Sequence, residues 1–197
     1  MNVLIACECS GTVRDAFMAK GHNAWSCDIQ PDDTGGLFHI TGCAIEALKA
    51  EDWDLVIAHP PCTYLSVSGL HWNKRRPERA ELTKKAIDFF MQFTELECKY
   101  AIENPVCCIS SHWRKPDQII QPYEYGHDAS KKTCLWLNGL PKLKPTKMIE
   151  PRMVNSKARW ANQTDSGQNN LAPSPERAKL RSKTYQGIAD AMADQWG

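Results

Sequence analysis

Residues 54–62 read Asp54-Leu55-Val56-Ile57-Ala58-His59-Pro60-Pro61-Cys62, and this stretch decides the fold. A short apolar run of this kind, rich in β-branched residues, is a strand buried on both faces, which belongs in a parallel sheet. Two consecutive prolines cannot continue a central strand. The chain therefore leaves the sheet at Pro60. Cys62 is left on stiff backbone at the carboxyl edge, where open α/β sheets bind their ligands.

Upstream, Asn2-Val3-Leu4-Ile5-Ala6 reads as a second buried strand. After a turn containing Gly11, Thr12 can cap a helix whose Val13, Ala16 and Phe17 share a face, with Gly21 as its stop. Residues 24–27 read as the next strand, closed by Asp28, and residues 44–50 as another helix. Downstream, Leu82, Ala86, Phe89, Phe90 and Phe93 recur at helical spacing over residues 79–93. A strand over 100–102 runs into a polar strand-end loop, Glu103-Asn104-Pro105, residues 132–137 form a later strand, and residues 186–196 a terminal helix. Alternating strands and helices of this kind predict one Rossmann-like α/β domain over residues 1–197, a mostly parallel sheet with helices on both faces. From about 145 to 184 the chain turns polar and irregular, with no legible period; we read this as an insert.

Composition narrows the function. The formal net charge is +1, from 24 basic and 23 acidic residues, so there is no global basic footprint and any nucleic-acid contact is local. Nine cysteines, an odd number, in a chain whose Met1 leads straight into a strand without a signal peptide, point to a reducing cytoplasm. No apolar run approaches the roughly 20 residues of a membrane span, and no Cys-x-x-Cys pair suggests a metal site, so neither membrane nor metal is expected.

A strand, a glycine-containing turn, a helix and an acidic residue closing the next strand can hold a nucleoside cofactor. Here these are the turn Ala6-Cys7-Glu8-Cys9-Ser10-Gly11 and Asp28, although an aspartate in that place can equally just cap a turn. Cys62 is either a nucleophile at the rim or an inert packed thiol. Reactivity needs the thiolate, which His59 or the run Lys74-Arg75-Arg76 would favour. Glu103, at the end of a neighbouring strand, is either a general acid or a salt-bridged strand end.

Together these residues resemble the cytosine-C5 DNA methyltransferases, in a short, phage or bacterial form. The family's Pro-Cys loop and following Ser-x-Ser-Gly segment look like Pro61-Cys62 and Ser66-Val67-Ser68-Gly69, and its later Glu-Asn pair looks like Glu103-Asn104. The resemblance implies an S-adenosylmethionine-dependent enzyme with Cys62 as nucleophile and Glu103 with Asn104 beside the pyrimidine. It also implies a cofactor site built from Ala6, Cys7, Glu8, Ser10, Gly11, Asp28, Ile29, His39, Ile40 and Pro61. Tyr185-Gln186-Gly187-Ile188-Ala189 resembles the family's final motif, which adds Tyr185 and Gly187 to that pocket.

Several positions depart from the family. His39 stands where an aspartate meets the adenine, and Ala129-Ser130-Lys131-Lys132-Thr133 replaces a Gln-x-Arg-x-Arg run, which leaves the pyrimidine carbonyl to Lys131 or Lys132. The insert takes the place of a target-recognition domain, so target recognition falls to a helper protein or the substrate is small. The partner is DNA, duplex or single-stranded, or a cytidine nucleotide. Ser66, Ser68, Arg75 and Arg76 are expected to contact it through a lid over residues 69–79, and Trp160 is available to stack on a base. Two rivals are an amino-methyltransferase acting on cytosine N4 or adenine N6, favoured by His59-Pro60-Pro61, and an idle nucleic-acid binder on the same fold.

Overall fold

The computed structural model describes residues 1–197. In chain order its elements are β1 (Asn2–Ala6), α1 (Thr12–Ala19), β2 (Asn23–Asp28), β3 (His39–Thr41), α2 (Ala44–Ala50), β4 (Leu55–Ala58), α3 (Val67–Leu70) and α4 (Pro77–Gln92). Then follow β5 (Lys99–Pro105), α5 (Ile109–His112), β6 (Gln118–Ile120), β7 (Thr133–Asn138), β8 (Arg152–Val154), β9 (Lys157–Arg159), α6 (Arg177–Ser182) and α7 (Gln186–Trp196).

Seven strands form one sheet in the order β3-β2-β1-β4-β5-β7-β6. The first five are parallel, and β7 runs antiparallel to both β5 and β6. The chain winds outward from β1 in both directions, so β1 and β4 flank the switch point at whose carboxyl edge a Rossmann-like sheet opens a crevice. This is the mostly parallel α/β architecture that the apolar runs predict.

Alternation along β1 divides the core between two faces. Val3 and Ile5 pack with Val13 and Phe17 of α1 and Ile188, Met192 and Trp196 of α7. Leu4 and Ala6 point the other way, toward Ala44 and Ala47 of α2, Phe90 of α4 and Trp136 of β7. Burial of Phe17, Phe90 and Trp136 at 0% exposure is worth about 2–3 kcal/mol each in apolar transfer.

Three expectations need correction. Thr12 is the first residue of α1 but does not cap it, because the Glu8 carboxylate takes that role. Glu103, Asn104 and Pro105 do not form a loop. They continue β5, which outruns β4 because β7 pairs with it as far as Pro105 against Thr133. The polar insert is not structureless. It holds the β8–β9 hairpin, turned at Asn155 and Ser156 with φ of 49° and 61°, and the short helix α6.

Candidate active site

Because β4 and β5 are neighbours, the ends that follow Ala58 and Ile102 lie side by side. Nδ1 of His59 stands 3.2 Å from Oε2 of Glu103, and since a carboxylate can only accept, Nδ1 carries the proton. Both side chains are largely buried, at 11% and 13% exposure. Nδ2 of Asn104, itself buried, donates to the Pro60 carbonyl at 2.7 Å and fixes the Pro-Pro turn. The Cys62 carbonyl accepts from the amides of Leu65 and Ser66, and Cys108 donates its amide to Leu65, so the backbone on both sides of the thiol is held.

The electrostatics tie the same residues together. Burial pushes the Cys62 thiol above its ordinary value and the Glu103 charge adds to that, while Lys131 and Arg181 pull the other way. Burial also works to raise Glu103. The His59 hydrogen bond, the Lys131 charge and the Thr133 side chain outweigh it, and the carboxyl sits below its ordinary value. Glu103 is therefore ionised at neutral pH in the free protein. Nε2 of His59 and Oδ1 of Asn104 are buried without a partner. Orphan polar atoms are costly in a folded interior, and two beside one crevice mark a place where a polar ligand fits.

The turn between β1 and α1 has an unusual backbone. Cys7 has a φ of 61° and Gly11 of 69°, and a Cβ on Gly11 would stand 2.3 Å from the Arg14 guanidinium. Glu8 is buried and accepts from the amides of Val13 at 2.9 Å and Arg14 at 3.2 Å, and from Ser10 Oγ at 3.1 Å. The helix N-terminus that would take a dinucleotide's pyrophosphate is thus already filled by a carboxylate. The Val13 and Arg14 amides are therefore not free for a phosphate.

Beside it, one Asp28 oxygen accepts from the Gln30 amide at 2.9 Å and the other has no hydrogen bond, so the carboxylate can meet ribose hydroxyls. The neighbouring Ile29 is 76% exposed and offers a bare apolar surface. His39 is differently placed from the expectation. Its Nε2 donates to the Gln30 carbonyl at 2.9 Å and its Nδ1 accepts from Ser26 Oγ at 2.8 Å, which leaves no nitrogen for an adenine. Ile40, like Cys7, packs against the core. Arg14 reaches Ser26 and Asp32 from below, a buried pair that fastens the loop after β2.

Around this centre, Arg79 donates to the carbonyls of Gly69 at 3.2 Å and Thr63 at 3.0 Å and lies over the Tyr64 ring, pinning the start of α4 to the Cys62 loop. Arg75 and Arg76 both stack on Trp72 and meet no carboxylate, so their charges are free. Ser66 and Ser68 hydrogen-bond each other at 3.1 Å. Lys131 faces the crevice and its Nζ lies 3.5 Å from the Lys183 carbonyl, while the exposed Lys132 acts on Cys134 rather than on Glu103. Lys179 and Lys183 are both paired with Asp33, whose amide donates to the Cys9 carbonyl, which brings α6 to the turn after β1. Trp160 is half-buried and stacks one face on Tyr123 with ring centroids 4.5 Å apart.

The terminal helix closes the site from the other face of the sheet. Gly187 donates its amide to His127 Nε2 at 2.9 Å, and a Cβ there would stand 1.9 Å from the Tyr125 carbonyl oxygen. Its glycine answers to that close approach. Tyr185 packs against His127, and Tyr185, Ile188 and Met192 line a cavity of about 10 Å³ with Glu103, Lys131, Thr133 and Thr184. Pro61 is exposed at the rim. The fold thus gathers Cys62, His59, Glu103, Asn104 and Lys131 at adjacent strand ends, while His39 and Trp160 are held by other partners. Thr133 and Arg79, not singled out by sequence reasoning, join them. The signal for Thr133 was its place beside the two lysines; for Arg79 it was its place at the end of the basic segment 69–79.

No family model matches the chain, and no curated protein matches it. Among solved structures it is similar to the Entamoeba histolytica methyltransferase EhMeth, at 16% identity and a TM-score of 0.47, over 76% of this chain and 58% of that one. The chain thus spans less than two thirds of that structure's length. No helix is long and apolar enough to cross a membrane.

Proposed function

We propose that this protein is an S-adenosylmethionine-dependent cytosine-C5 methyltransferase that acts on DNA through a covalent bond from Cys62. The observation that carries the reading is the meeting of a rim cysteine and a buried glutamate on adjacent strand ends. Two groups so placed can address opposite sides of one planar ring.

Cytosine C5 is too weakly nucleophilic to take a methyl group unaided, so its ring needs covalent activation. Cys62, its thiol proton given up to solvent, attacks C6 through Sγ as Glu103 holds a proton at N3, which turns C5 into an enamine-like carbon. S-adenosylmethionine, when bound, supplies the electrophilic methyl. Glu8, Asp28 and Ile29 are the residues that would hold it, toward its positive end, ribose and base respectively. After loss of the C5 proton to a base, Cys62 is eliminated. Asn104 keeps the Pro-Pro turn rigid throughout, and the free cations Arg75 and Arg76 grip phosphates flanking a flipped target.

The test is a covalent trap. Duplex and single-stranded DNA containing 5-fluorocytosine, incubated with protein and S-adenosylmethionine, should give an adduct that mass spectrometry locates on the Cys62 peptide. Cys62→Ala should give none. An adduct that persists in Cys62→Ala, or none in wild-type protein that binds both ligands, rejects the reading.

A further inference from the structure

Two histidines stand at strand edges of this sheet, and the fold treats them differently. His39 spends both ring nitrogens, on Ser26 and Gln30. His59 spends Nδ1 alone, on Glu103, and leaves Nε2 buried without a partner. A histidine kept merely to fasten two loops is normally satisfied on both sides. That fastening is in any case done by Asn104 on the Pro60 carbonyl.

The C5 chemistry asks Glu103 to hold a proton at N3, yet the carboxyl is ionised in the free protein. The groups that face it are few. Lys131, Thr133 and the buried Cys134 approach from the β7 side, His59 and Cys62 from the β4 side, Tyr185 lines the same cavity from ahead of α7, and Arg181 acts on Cys62 from α6. Ammonium and guanidinium groups are poor proton donors near neutrality, burial pushes the Cys134 thiol and the Tyr185 phenol up, the Thr133 hydroxyl is not an acid, and the Cys62 proton leaves with formation of the nucleophile. An imidazole can take a proton at one nitrogen as it gives one up at the other, and His59 has Nε2 free for this.

We propose that His59 is the proton reservoir for Glu103. As substrate binds, the unpartnered Nε2 of His59 takes up a proton from solvent while the Nδ1–H bond breaks and that proton forms a bond to Glu103 Oε2. Glu103 passes that proton to N3 as the Sγ–C6 bond forms, and takes it back as Cys62 leaves. The proton then returns to Nδ1 and Nε2 releases the one it took, so no atom or charge is left over. His59 thus acts through Glu103, as a positioning and proton-supplying residue. The inference rests on the C5 reading above.

The experiment measures the rate of adduct formation with 5-fluorocytosine DNA and S-adenosylmethionine from about pH 5 to 9 for wild type and His59→Gln. The glutamine keeps a donor for Glu103 but carries no transferable proton. The rate of His59→Gln should fall about tenfold or more at neutral pH, with its alkaline limb moved to lower pH and substrate affinity little changed. A limb in the wild-type position, with or without a lower amplitude, overturns the role of His59 while leaving the C5 reading intact. No adduct in the wild type overturns both. Carbon-13 NMR of the Glu103 carboxyl gives a readout independent of turnover. In His59→Ala it should titrate at higher pH than in wild type, because a bond favouring the ionised form is gone; an unmoved titration overturns the coupling.

Discussion

The side-chain amide of Asn104 donates to the backbone carbonyl of Pro60 across 2.7 Å, and this bond joins the end of β5 to the turn that carries Cys62. Asn104 is 1% exposed. Its replacement by Ala leaves a buried carbonyl unpaired, at a cost of about 1–3 kcal/mol in urea unfolding. Adduct formation by Cys62 should fall by a larger factor than stability alone accounts for, because the thiol loses its fixed position. A variant with lower stability and an unchanged rate at full folding would show that the turn holds itself.

Glu8 should matter twice. Its carboxylate caps α1 through Val13 and Arg14, so Glu8→Ala should cost about 1–2 kcal/mol in thermal or urea unfolding. It also frees the helix amides and removes a negative charge from the cofactor turn. Calorimetry should then show weaker S-adenosylmethionine binding in Glu8→Ala. Unchanged affinity would place the cofactor's charged end elsewhere.

The Cys62 thiol is pushed up first by burial and then by the Glu103 charge. Glu103→Gln removes that charge, so the thiolate forms at lower pH. Alkylation by iodoacetamide at a fixed pH below the thiol's titration should quicken by about three- to tenfold. Methylation should nevertheless be lost, because the group that holds N3 is gone. Faster alkylation with retained methylation would remove Glu103 from the chemistry.

Gly187→Ala would set a Cβ 1.9 Å from the Tyr125 carbonyl oxygen, which is backbone and cannot swing aside. Helix α7 must shift, and with it Ile188, Met192 and Trp196 in the core. Unfolding free energy should drop by about 1–3 kcal/mol. A neutral result would mean that the helix adjusts without disturbing its packing.

The sequence made the middle of the fold legible. β1 and β4 are buried on both faces and bounded by breakers, and the bounds of α2 and α7 follow directly from apolar spacing. What escaped it was short, exposed or distant. β6 buries a single residue of three, and β8 and β9 bury none, so neither pattern stands out, although Asn155-Ser156 was a turn signal in plain view. The ends of β4 and β5 could be guessed to converge. The bond between His59 and Glu103, 44 residues apart, could not, because it depends on the two strands being adjacent in the sheet. Glu8 was read as a cofactor contact from its place in the turn; a carboxylate that caps the following helix five and six residues on is a three-dimensional fact.

Labelled methyl from S-adenosylmethionine, offered to duplex DNA, single-stranded DNA, RNA and free cytidine nucleotides with Cys62→Ala alongside, decides the chemistry. 5-Methylcytosine should form in a DNA lane and disappear in the variant. Methyl found on an exocyclic amine, or product that survives Cys62→Ala, would contradict C5 transfer through Cys62.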